Sequence, residues 1–237
     1  SRASKPTTQR RVPSANRRAK KMTPHTVVKR HSTSAQAPAV ATMDDIFVDP
    51  KRRTFRKWKT SPPVSAQVVK HVYDQIRWGP TAFNCTPLRM AIIDTTEGKD
   101  KVKPFLAPGN VDPFVNAPLT VVLAYDTQFV QSWPKDHPAY EYGTKYFTDN
   151  AHLVLPSAQL NANLQAGYFI TALRAKRLDL GPANGFDHDG LTNALFANNE
   201  KTQGWKAFMY INIGHGDADG LFPRLERPEF EDIAVQV

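Results

Sequence analysis

Four small groups of residues, far apart in the chain, carry side chains that could recognise a ligand. They are Arg53-Thr54, Thr81 with Asn84, Gly181-Pro182, and Arg224 with Arg227. Each group alone reads as a solvated charge or a turn. Together they suit a phosphorylated, planar ligand. Guanidinium groups grip phosphate bidentately, and backbone at glycines can come close to a ring edge. Other chemistries are poorly supported. Gly214-His215-Gly216 lacks the third glycine of a dinucleotide loop, Asp219 standing in that place, and reads as a plain turn. Asp187-His188-Asp189-Gly190 lacks the remaining ligands of a calcium loop and reads as a helix cap. The histidines at 25, 31, 71, 137, 152, 188 and 215 show no metal-ligand spacing. There is no G-x-S-x-G nucleophile elbow. A single cysteine, Cys85, excludes an internal disulfide and a multi-cysteine metal site. Beside Asn84 it could be a nucleophile, but a free cysteine more often serves as a small buried apolar residue.

These residues need elements to position them. The stretch Trp78-Gly79-Pro80-Thr81-Ala82-Phe83-Asn84-Cys85-Thr86-Pro87-Leu88-Arg89 packs Gly, two Pro, Thr and Asn into one connection. It predicts a loop of fixed path between an amphipathic helix over 66–77 and a strand over 89–95. Its bland reading is a helix-to-strand turn. A charged surface helix is predicted over 98–106, stopped by Pro108-Gly109. The near-continuous apolar run 119–125 suits a strand buried on both faces. Residues 127–150 read as an aromatic, irregular excursion with short helical pieces. The longest helix is predicted over 156–177, with Leu160, Leu164, Gly167, Tyr168, Thr171, Ala172 and Ala175 spaced for burial. An extended piece over 178–184, a helix over 188–198 capped by Asp187 or Asp189, and a strand over 206–213 complete the pattern. No repeat is evident. Helices interspersed with few strands predict one α+β domain over 44–237.

Residues 1–43 are different. The chain of 237 residues has a net charge of +9, from 31 Lys and Arg against 22 Asp and Glu. Ten of the basic residues, and no acidic one, fall before Asp44; residues 44–237 carry 21 against 22. The excess charge therefore belongs to the N-terminal extension. It is rich in Ser, Thr, Pro and Ala and poor in large apolar residues, a composition that does not fold alone. It reads as a mitochondrial-type targeting segment, as an RNA-binding arm, or as both. The phosphate-binding candidates there are Arg10, Arg11, Arg17, Arg18, Lys20, Lys21, Lys29 and Arg30. The Ser at position 1 is read as a sign of processing or truncation. No apolar run approaches the ~18 residues a membrane span needs.

From Arg53 onward the chain resembles the nitroreductase family, and most closely its malonic-semialdehyde-reductase-like branch. The resemblance rests on Arg53-Thr54…Trp58, Trp78-Gly79-Pro80-Thr81…Asn84-Cys85…Pro87…Arg89, Thr96-Glu97-Gly98-Lys99, Gly109-Asn110 and Ala117-Pro118. It continues through Gln165-Ala166…Tyr168, Leu178-Asp179…Gly181-Pro182…Gly185-Phe186-Asp187, and Ile211-Asn212-Ile213-Gly214…Gly216-Asp217…Arg224-Leu225. The resemblance implies an FMN-binding α+β fold, a mostly antiparallel sheet flanked by helices, and an intertwined homodimer with the flavin at its interface. NADH or NADPH would be the transient reductant. By the same match Arg53, Arg224 and Arg227 would hold the phosphate, with Thr54 in the same cofactor-binding group. Asn84 and the backbone at Gly181-Pro182 would face the ring, and Asn161 and Gln165 would be second contacts. Three positions depart from the pattern: Phe55 stands where a His is usual, Ala82-Phe83 replace Ser-Ala, and Leu160 replaces an Arg.

Two functions follow as expectations. In one, the tail anchors the body in a mitochondrial ribonucleoprotein, foremost a ribosomal subunit, with rRNA and neighbouring proteins as partners and with FMN and oxidoreductase activity either lost or, in a hybrid of the two, retained. In the other, a free-standing matrix enzyme reduces a semialdehyde, quinone or nitro compound with FMN and NAD(P)H.

Overall fold

The computed structural model describes residues 41–136 and 140–237. Its centre is a four-stranded sheet of β1 (Leu88–Ile93), β2 (Leu119–Asp126), β3 (Asp179–Ala183) and β4 (Trp205–Gly214). The spatial order is β1-β2-β4-β3, and every neighbouring pair is antiparallel. All but one residue of β2 is buried, which is why its sequence lacks the alternation of a half-exposed strand.

The helices are α1 (Gln67–Ile76), α2 (Thr96–Val102), α3 (Pro108–Val115), α4 (Tyr140–Asp149), α5 (Val154–Ala175), α6 (His188–Phe196) and α7 (Phe230–Ile233). One face of the sheet packs on α1 and α5, through Val69, Val72, Ala162, Ala166, Phe169 and Leu173. The other packs on α2, α3 and α6, through Val102, Phe114, Leu191 and Phe196. A third, aromatic core joins Phe129, Trp133 and Phe147 to Ala158 of α5. The α+β class and antiparallel sheet thus agree with expectation.

Three local readings change. Pro108-Gly109 opens α3 instead of ending a helix. Proline fits a first helical turn, where its missing N–H has no intrahelical partner to lose. The excursion after β2 contains a ten-residue helix, α4. The buried face of α5 is also rotated from the predicted one. Ala158, Asn161, Ala162, Gln165, Ala166, Phe169 and Leu173 are buried, while Leu160 is 70% exposed and Leu164 43%. Alanines let α5 lie close to the sheet, and the two buried amides have main-chain partners described below. At α6 the cap is Asp187, whose Oδ1 accepts from Gly190 N at 3.0 Å.

Candidate functional site

The segment 54–59 lies across one end of the sheet. Thr54 bridges to Leu180, and Phe55 N donates to Leu180 O at 2.9 Å. Trp58 bridges to Gly216, and Lys59 N donates to His215 O at 2.8 Å. Two glycines make this approach possible. A Cβ on Gly181 would stand 2.6 Å from the Phe55 carbonyl oxygen, and one on Gly216 would overlap the Phe55 ring. The Gly-His-Gly turn therefore has a packing role, and Phe55 is core, 4% exposed.

This seating delivers arginines to a cleft. Phe47, Arg52, Arg53, Thr54, Phe222, Pro223, Arg224, Leu225 and Arg227 line a cavity of about 360 Å3. Arg53 Nε donates to Phe222 O at 3.3 Å, and Arg224 Nη1 to Val48 O at 2.8 Å, tying the C-terminal arm to the body. Arg227 Nη1 donates to Leu225 O and Glu226 O at 3.1 and 3.0 Å. Among the described residues no carboxylate forms an ion pair with Arg52, Arg53, Arg224 or Arg227. Arg52 is held below its ordinary pKa, first by burial and then by Arg174, Arg227, Arg224 and Arg53. Arg174 pairs with Asp179 at 3.0 Å but has a buried Nε without a hydrogen-bond partner. Such concentrated, uncompensated positive charge suits a phosphate monoester. Arg52 was not among the residues expected here; its position in the run Lys51-Arg52-Arg53 was the available signal.

The loop before β1 holds the second group. Its backbone is strained: Phe83, Asn84 and Thr86 have φ of 54, 53 and 39°. Left-handed conformations at residues other than glycine cost on the order of 1–3 kcal/mol each and persist where surroundings impose them. Here Asn161 Oδ1 accepts from Ala82 N at 2.8 Å, and Gln165 Oε1 accepts from Leu88 N at 3.0 Å. Thr81 Oγ1 accepts from Thr86 N at 3.3 Å, and Tyr168 Oη donates to Pro80 O at 3.0 Å. Asn161 and Gln165, expected as second contacts of the cofactor, brace the loop with these oxygens. Cys85 is 2% exposed. Burial pushes its thiol up to about 11, against reactivity as a nucleophile at neutral pH. Asn84 is exposed at the tip.

The two groups meet different parts of α5: Asn161, Gln165 and Tyr168 bond the loop, and Arg174 lies nearer the helix C-terminus. Arg174 acts on Arg52 at the cleft. The chain thus gathers Arg53, Thr54, Arg224 and Arg227 in one cleft beside β3, which carries Gly181 and Pro182, and places Asn84 elsewhere. Among the described residues no His, Cys, Asp and Glu group could hold a metal ion, and no helix is long and apolar enough to cross a membrane. The basic candidates from Arg10 to Arg30 lie outside the described residues.

The structure thus combines an antiparallel α+β sheet, an arginine-lined cleft beside β3 and a strained polar loop before its first strand. The nitroreductase family matches residues 50–215, well over half the chain, and the chain belongs to that family. Solved structures share the fold at low identity. A protein described as a nitroreductase, in complex with FMN, from Exiguobacterium sibiricum superposes with a TM-score of 0.70 at 19% identity, covering 84% of this chain and 99% of its own. An enone reductase of gut-bacterial fatty acid saturation gives 0.68 at 18%, covering 82% and 97%. A protein described as an NAD(P)H:FMN oxidoreductase from Staphylococcus epidermidis gives 0.66 at 15%, covering 79% and 92%.

Proposed function

We propose that this protein binds FMN and uses it as an NAD(P)H oxidoreductase, in a site completed by a second copy of the chain. The observation that carries the reading is the cleft of four arginines that, among the described residues, have no carboxylate ion-pair partner. Its donor set fits the phosphate: planar guanidiniums for the dianion, with Thr54 on the same wall. FMN, when bound, supplies a ring that takes a hydride from a reduced nicotinamide and passes it to a second substrate. The chain's own work is positional. Arg52, Arg53, Arg224 and Arg227 would hold the phosphate, and Asn84 would orient the ring by its amide.

Asn84 does not line the arginine cleft, so a flavin that meets both would take the loop from another chain. A second copy would supply the missing loop. Apolar surface supports that pairing: Leu155, Leu160 and Leu164 of α5, and Phe230, Ile233, Val235 and Val237 of the C-terminal arm, are all exposed. The test compares FMN with riboflavin by fluorescence titration. FMN should bind at least tenfold more tightly, about 1.4 kcal/mol or more, and Arg53→Ala with Arg224→Ala should erase the difference. Equal affinities in the unsubstituted protein would overturn the phosphate assignment.

A second reading concerns the tail and is compatible with the first. Ten basic residues without an acidic one, on a body of 21 against 22, favour RNA as the partner of residues 1–43, with anchoring in a mitochondrial ribonucleoprotein. Removing residues 1–43 should abolish salt-sensitive RNA retention; unchanged retention would contradict it.

A further inference from the structure

We infer that Phe83 is a positioning residue: its ring clamps the strained loop against α4 and so fixes the direction of Asn84. The inference rests on the flavin reading and concerns the aromatic ring that precedes Asn84 in the strained loop. A phenyl group there has two possible consequences. It can fill the space a flavin ring needs, or it can turn away and act as an anchor.

The geometry favours the anchor. The Phe83 ring lies 5.3 Å from that of Tyr146, 5.6 Å from Phe147 and 5.9 Å from Tyr142, centroid to centroid. All three partners belong to α4. Phe147 is buried in the aromatic core, so the clamp has a rigid floor. The backbone that carries Phe83 is left-handed at Phe83 and at Asn84. A residue other than glycine holds that shape only when something imposes it. On the far side the Ala82 N–H is held by Asn161 Oδ1 at 2.8 Å. The loop is therefore gripped from two elements, by α5 through hydrogen bonds of Asn161, Gln165 and Tyr168 and by α4 through three aromatic contacts of Phe83. Asn84 is the exposed residue between these grips and the buried Cys85. Loss of the Phe83 ring would free the turn to relax toward ordinary φ values, and the Asn84 amide would swing with it.

The experiment is a titration of the full chain with FMN, read by quenching of flavin fluorescence and by the fine structure of the visible flavin band, with unfolding curves as a control. Phe83→Ala should weaken FMN binding about tenfold, as expected when an aromatic anchor of a strained loop is lost. It should also blur the bound flavin's spectrum, and Phe83→Tyr should restore both. Riboflavin should lose affinity by the same factor, because the phosphate contacts are untouched. Should Phe83→Ala fail to fold, Tyr142→Ala removes an exposed partner of the same clamp, with an expected loss of about threefold. Unchanged or tighter FMN binding in Phe83→Ala, or unchanged binding in Tyr142→Ala where only that variant folds, would overturn the inference and leave the flavin reading standing. Failure of the unsubstituted chain to bind FMN would remove both.

Discussion

Asn161 and Gln165 show how far a single residue's role depends on a partner distant in sequence. Both are polar on a helix whose neighbouring leucines look suited to burial, yet both amides are buried and the leucines face outward. Gln165 Oε1 accepts from the Leu88 N–H, 77 positions away, and periodicity along α5 carries no trace of that bond. Replacing Gln165 by Leu would leave a buried main-chain donor without its acceptor. The expected cost is about 1–3 kcal/mol in denaturant unfolding, whereas a Gln165→Leu variant of unchanged stability would contradict the bracing role. Arg53, Thr54, Arg224 and Arg227 were legible as residue types suited to phosphate. Arg52 was passed over, because a charge beside other charges looks solvated until the fold half-buries it.

Among the elements, the strands and long helices were legible because apolar runs and helical spacing record burial directly. The readings that changed involve elements whose partners are not local. α4 has few aliphatic residues and owes its place to Phe83, Phe129 and Trp133. The C-terminal arm has no apolar packing of its own to record. It is fastened by Arg53 to Phe222 O, by Arg56 over the Phe222 ring at 5.7 Å, and by Arg224 to Val48 O. Its own Arg224 and Arg227 face Arg52 and Arg53 across the cleft. Like charges push these walls apart, and a bound dianion would draw them together. FMN should therefore slow tryptic cleavage after Arg224, whereas riboflavin and sodium chloride of equal ionic strength should not. Equal cleavage with and without FMN would show that the arm does not feel the anion.

At the scale of the whole molecule, the proposed flavin site takes its cleft from one copy of the chain and Asn84 from a second. Sequence could name the candidate residues but not which of them line one cleft, since spacing along a chain carries no distance across it. Leu160→Asp places a charge on the exposed stripe of α5 without touching either half-site. It should leave the monomer folded, shift the protein from dimer to monomer in sedimentation, and weaken FMN binding in parallel. A monomeric variant that binds FMN as the unsubstituted protein does would mean that one chain suffices. The basic tail adds a separate question of location and partner, answerable by its deletion without disturbing the body. The central claim is that the arginine cleft holds the phosphate of a flavin. Its most direct test is the visible absorption spectrum of the purified full chain, before and after denaturation, with FMN supplied in excess and then removed. A flavin spectrum, and release of one FMN per chain on unfolding, is the result expected. A colourless protein that takes up no FMN would contradict it.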